Sequence, residues 1–201
     1  MQHRDRVAHQ PVATVALLVC QLAFFFALRM GKFSKEVIVW FSLGNDSLHP
    51  AGMVLHPLGM RAIPGLICIL VVVGMLGVVL EKRIGSVKLL AYFVAGNVLS
   101  GAFFFWFASI SPEHCGLSLT APAGGLVSWW MMARRELSGR VSIFGESFDI
   151  DRVINIAGIG ILTVVFGYFG PGATGWILAA LVGGFGVTVL RRLSIRGGTS
   201  V

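Results

Sequence analysis

The chain reads as an all-α, polytopic membrane protein, with six transmembrane helices and an interfacial loop between the first and second. Three observations predict this class. Hydrophobic residues make up 56% of the 201 residues and charged residues only 12%, about half the roughly 25% of a soluble domain. Mean hydropathy is +0.84. The apolar residues gather into six runs, at 12–29, 62–80, 87–108, 117–133, 153–169 and 173–190. Each is close to the ~20 residues that a helix needs to cross ~30 Å of hydrocarbon. In lipid a helix satisfies its own backbone, so the runs predict a helical bundle.

The first run follows a short basic stretch with Arg4 and Arg6. It is longer than the apolar core of a signal peptide, and Phe26-Ala27-Leu28-Arg29 offers no small-residue cleavage site, so an uncleaved first span is expected. The resulting organisation is a cytoplasmic segment at 1–11, a six-helix membrane domain at 12–190 and a basic cytoplasmic tail at 191–201.

The loops predict orientation. With the N-terminus inside, the inner face receives Arg4, Arg6, Lys82, Arg83, Lys88, Arg134, Arg135, Arg140, Arg152, Arg191, Arg192 and Arg196. The outer face receives Arg29, Lys32, Lys35 and Arg61. The positive-inside rule therefore places both termini in the cytoplasm, as in a multi-pass protein of a bacterial inner membrane. The net charge of +7 has this topological origin, and a nucleic-acid partner is not expected. The partners expected are the lipid bilayer and the transmembrane segments of client proteins.

Two connections stand out. Residues 31–61 form a long outer loop carrying Val37-Ile38-Val39-Trp40-Phe41, too apolar for a solvated linker; it is expected at the membrane interface, with Trp40 as an aromatic anchor. Residues 142–151 form a short inner loop whose acids are expected to pair with nearby arginines. Cys20 and Cys68 lie inside apolar runs, and three cysteines imply no disulfide framework. No internal repeat is evident, and charges within the spans are few, which disfavours a transporter or channel.

The stretch Gly77-Val78-Val79-Leu80-Glu81-Lys82-Arg83-Ile84-Gly85-Ser86 ends one apolar run and opens the next. Leu89-Leu90-Ala91-Tyr92-Phe93 and Gly96 follow it. Further on come Ala121-Pro122-Ala123-Gly124-Gly125-Leu126-Val127-Ser128 and Gly172-Ala173-Thr174-Gly175-Trp176, the latter followed by Ala179 and Gly183. From His56 onward these anchors, in this order, resemble the rhomboid family of intramembrane serine proteases, over about residues 50–190. The resemblance implies a six-helix rhomboid-like bundle.

It also implies where an active site would lie. In the family a serine opens the fourth helix, a histidine on the sixth is its base, and a histidine and asparagine on the second hold the oxyanion. The serine position falls on Ala123, which is expected about six residues inside its helix, and the histidine position falls on Ala173. Counted back from Glu81, the oxyanion pair falls on Gly65 and Ile69. None of these side chains can attack, take a proton or donate a hydrogen bond, as serine hydrolysis requires. No histidine follows His114. Gly116-Leu117-Ser118 offers an alternative nucleophile, but Leu119 stands where the family has glycine, and Pro122 would fall inside the new helix. A helix N-cap is the simpler role for Ser118. The expectation is a pseudoprotease with no catalytic residues and no cofactor; the alternative is an intramembrane serine protease acting through Ser118 or a non-standard dyad.

Other residues draw attention for their chemistry. His49, His56, His114 and Cys115 would be outer-face ligands for zinc if their loops converged, though their spacing fits no zinc pattern. Asn97, in mid-span, is expected to donate a hydrogen bond between helices. Gly175, Ala179 and Gly183 recur every four residues, a stripe that lets helices approach closely. Glu81 is expected to pair with Arg83 or a loop, or to lie at a solvated helix end.

Overall fold

The computed structural model describes residues 11–41, 49, 51–59, 63–111, 123–137, 139–143, 146–167 and 174–197. Helix dominates. The chain opens with α1 (Val12–Arg29), then two short helices, α2 (Lys35–Trp40) and α3 (Gly52–Leu55), and a 3-10 turn at His56–Leu58. A second rod follows, built from α4 (Ile63–Val72), a π turn (Val73–Gly77) and α5 (Val78–Ile84). Then come α6 (Ser86–Ile110) and α7 (Ala123–Glu136), strands β1 (Arg140–Ile143) and β2 (Glu146–Asp149), and helices α8 (Ile150–Gly167) and α9 (Thr174–Gly197).

Among the described residues, three helices are long and apolar enough to cross a membrane: Val12–Arg29, Ile63–Ile84 and Ser86–Ile110. The 22 residues of the second would span about 33 Å at 1.5 Å per residue. It runs past Glu81 to Ile84, so the apolar run at 62–80 understates it by a full turn. Gly85 then joins α5 to α6 alone. Its φ of 83° lies where only glycine sits at ease, and its N–H donates to the Glu81 carbonyl at 2.8 Å.

α6 is the hub of the bundle, packed most extensively against α7 and α9, while the second rod packs on α8 and α1. The core gathers Leu76, Leu80, Leu89, Phe104, Leu126, Trp129 and Ile154, all almost wholly buried. Indole groups tie the helices together: Trp129 donates from Nε1 to the Leu89 carbonyl on α6, and Trp130 to that of Ile154 on α8, each at 3.1 Å. The outward faces of the long helices stay apolar, as at Val15, Val19, Ile67, Val71, Val94 and Trp106. Exposed apolar side chains on these rods are what lipid contact requires.

One departure from an all-α chain lies between α7 and α8. Arg140–Ile143 and Glu146–Asp149 pair as a two-stranded antiparallel ribbon with Arg140 opposite Asp149, where a plain loop was expected over 142–151. Alternating Val141, Ile143 and Phe148 supply the β-branched and aromatic content that favours pairing. No ion pair occurs among the described residues of this hairpin; the Asp149 carboxylate accepts from the backbone N–H of Asp151 at the start of α8 instead. A two-stranded ribbon this short depends on its neighbours for stability, here α5 and α8.

Candidate functional site

The most polar feature of the core is the buried carboxylate of Glu81. Its Oε1 accepts from the Ala13 N–H at 2.8 Å and the Ser86 hydroxyl at 2.5 Å, and its Oε2 from the Thr14 N–H at 2.8 Å and the Thr14 hydroxyl at 2.7 Å. The first N–H groups of a helix have no partner within it. Pro11 precedes α1 and cannot cap it with a side chain. Glu81, 68 residues away, does so instead, placing a negative charge at the positive end of the helix dipole. The expected pairing with Arg83 is replaced by this clamp, because Lys82 and Arg83 point outward while Glu81 is 1% exposed.

A second polar group sits at mid-bundle. The Asn97 side-chain amide donates to the Phe93 carbonyl on its own helix at 3.0 Å, and its Oδ1 accepts from the Gly125 N–H on α7 at 3.0 Å. The interhelical bond expected of Asn97 exists with its polarity reversed: Asn97 is the acceptor. Gly125 lies in the first turn of α7, where backbone N–H groups need outside acceptors.

Around Asn97 three helices meet with almost no side chain between them. A Cβ on Gly96 would come within 2.7 Å of the Gly124 carbonyl oxygen, and one on Gly124 or on Gly183 would overlap the Gly96 carbonyl oxygen. The backbones of α6, α7 and α9 therefore touch here. Of the stripe of small residues on α9, Gly183 makes this contact, and Ala179, one turn before it, is buried. Ser100 lies beside Gly124 and Gly183, 0% exposed, and its hydroxyl has no hydrogen-bond partner among the described residues.

Ala123, the position corresponding to the family serine, opens the described part of α7 and is 0% exposed. Its expected depth of six residues falls on 117–122, outside the described residues. Gly65 and Ile69 both face the interior, Ile69 at 0% exposure. Counting back to them from Glu81 crosses the π turn, which holds one residue more than an α turn. Ala173, Ser118, His114 and Cys115 lie outside the described residues.

The two described histidines are engaged locally. His49 stacks on Trp40 with ring centroids 6.0 Å apart, and its Nδ1 accepts from the Ala51 N–H at 3.2 Å. His56 is fully buried, with Nδ1 2.9 Å from the Gly52 carbonyl oxygen. A carbonyl only accepts, so Nδ1 carries the proton. Among the described residues no group of three or more His, Cys, Asp or Glu side chains comes together. Gln21 on α1 donates to the Pro57 carbonyl at 2.9 Å, which ties the 3-10 turn to the first helix.

Chemically, the junction offers amides, carbonyls and hydroxyls. Gly96, Asn97, Ser100, Ala123, Gly124, Gly125 and Gly183 include no titratable side chain. Among the described residues this arrangement packs helices and sets no nucleophile beside a base. Sequence reasoning missed the partners of Glu81, although a threonine at the third position of the first apolar run was a visible capping signal. It also missed Ser100 and the Gln21 tie, for which the chain carries no local signal.

Long apolar helices, cross-helix satisfaction of buried polar groups and backbone contact at glycines together define a membrane-embedded helical protein. Comparison with protein-family models, with curated proteins and with solved structures gives no match for this chain.

Proposed function

We propose that this chain is a rhomboid-like integral membrane protein that acts as a pseudoprotease: it binds or retains client membrane proteins without cleaving them. In this reading it crosses a bacterial inner membrane six times with both termini cytoplasmic, and the loop between its first two spans lies in the membrane interface. The supporting observation is the pairing of a retained frame with an emptied site. Glu81, Gly85 and Ser86, which carry the family resemblance, also build the clamp and turn that hold α1, α5 and α6 together. Ala123, at the head of α7, is a buried methyl group. A client's own transmembrane helix is the partner that such a bundle suits, since association in lipid rests on close van der Waals packing and interhelical hydrogen bonds.

The test has two arms. Site-specific photocrosslinkers on the lipid-facing surfaces of the full chain, used in native membranes, are expected to capture a restricted set of membrane proteins at full length. A fluorophosphonate probe on the purified protein is expected to leave it unlabelled. Labelling that disappears in Ser118→Ala would overturn the pseudoprotease reading in favour of a protease, and capture of no protein above background would overturn client binding.

A further inference from the structure

Where the Ser86 end of α6 meets the Glu136 end of α7 and the Gly197 end of α9, the three helices leave a shallow cleft. It is lined by Tyr92 from α6, Ser128, Met131, Met132 and Arg135 from α7, and Val187 and Thr188 from α9; the Ser128 hydroxyl is already bonded to the Tyr92 and Gly125 carbonyls. Its empty space is about 270 Å³ with the open mouth and solvent included, and its interior has room for about one water, so it cannot engulf a ligand. A ligand here would lie along the surface.

The cleft has a polar rim and an apolar floor. Arg135 is exposed at the penultimate position of α7. Met131 sits one turn deeper on the same helix, and Val187 faces it from α9. The neighbouring cation is already engaged: Arg134 lies 4.9 Å over the Trp130 ring and donates to the Asn155 side-chain oxygen at 3.2 Å. Arg135 turns instead to the cleft. Lys88 stands one turn before Tyr92 on α6, and Arg191 and Arg192 follow Thr188 within about a turn on α9. Against these cations the three helices carry one acid, Glu136. Tyr92 is six residues from the start of α6, about 9 Å along the axis, a depth that suits a lipid headgroup above and the first methylenes below.

We propose that this cleft binds an anionic glycerophospholipid, with Arg135 holding the phosphate and an acyl chain lying along Met131, Met132 and Val187. An arginine fork matches phosphate geometry and remains charged at any physiological pH. Flexible methionines mould to an irregular chain. Basic clefts between helices on the cytoplasmic side are suited to anionic headgroups. The proposal rests on membrane embedding and not on client binding, so a failure to capture clients would leave it standing.

The test uses the full chain, purified and delipidated in neutral detergent, with lipids added back. Phosphatidylglycerol is expected to raise the thermal midpoint by several degrees and to be retained in native mass spectra, while phosphatidylcholine is not. Arg135→Gln is expected to weaken the phosphatidylglycerol response at least tenfold, and Arg83→Gln, an exposed cation away from the cleft, to leave it unchanged. If Arg135→Gln fails to fold, Arg135→Lys is expected to weaken it several-fold, and no weakening overturns the proposal. Equal responses to both lipids, or equal losses in the Arg135 and Arg83 variants, would show diffuse attraction and no site. Competition by millimolar inorganic phosphate would identify a free-phosphate site and equally overturn the lipid.

Discussion

Glu81 and Gly183 show how single residues hold helices together in this molecule. Four donors converge on the Glu81 carboxylate, and a buried donor left without an acceptor costs about 1–3 kcal/mol. Glu81→Ala is therefore expected to lower stability by roughly 3 kcal/mol, with Glu81→Gln intermediate because one acceptor oxygen remains. Lys82→Ala and Arg83→Ala should change little, since both side chains are exposed. Reversible unfolding in mixed detergent micelles measures all four; an Arg83→Ala effect as large as that of Glu81→Ala would restore an ion pair in place of the clamp. Gly183→Ala places a methyl against the Gly96 carbonyl oxygen, an overpacking expected to cost about 1–3 kcal/mol. Gly74→Ala meets nothing within 4 Å and should stay within roughly 0.5 kcal/mol of the parent. These roles were only half legible. An acid at the end of an apolar run announces itself, but its partners at Ala13 and Thr14 lie 68 and 67 residues away. No local pattern encodes such a distance.

Among the elements, the rod Ile63–Ile84 is the instructive case. Its apolar length was plain, and its π turn at Val73–Gly77 was not, because an apolar run carries no mark of one extra residue. A π turn absorbs an insertion while both flanks keep their faces. Gly65, Leu66 and Ile69 above it and Leu76, Leu80 and Glu81 below it all reach the core. Deleting Gly74 is thus expected to relax the turn to regular α-helix with the Glu81 clamp intact. Deleting Val98 from α6 turns one half of that helix by about 100° against the other and separates Asn97 from the Ser100 face. Unfolding in mixed micelles reports on the first: Glu81→Ala is expected to cost as much stability in the Gly74 deletion as in the parent. For the second, loss of cooperative unfolding is expected. A clamp lost on deleting Gly74 would mean that the turn is integral to the fold. The hairpin at 140–149 teaches the reverse lesson. Its alternation was present, but charged and small residues within it read as loop until α5 and α8 were seen to support it.

For the whole molecule, the distribution of cations carries the proposed topology. If both termini are cytoplasmic, then in a background without other cysteines a membrane-impermeant maleimide should label Lys32→Cys from outside intact cells and label Arg140→Cys only after lysis. The reverse pattern would invert the orientation while leaving the helix packing as it is. The same distribution sets the proposed lipid cleft in the leaflet whose surface potential favours anionic headgroups.

The sequence by itself determined that the chain carries helices long and apolar enough to cross a membrane, because in lipid a span must satisfy its own backbone and so must announce itself in unbroken apolar residues. It also determined which residue types stand at each anchor, and so that Ala123 offers no hydroxyl. Only the tertiary structure decided what Glu81 caps, that Asn97 accepts and does not donate, where glycine backbones touch, and which of two adjacent arginines faces a cleft. Those outcomes depend on how helices far apart in the chain are rotated and placed against each other, and rotation about a helix axis leaves no trace in the residues of a single span.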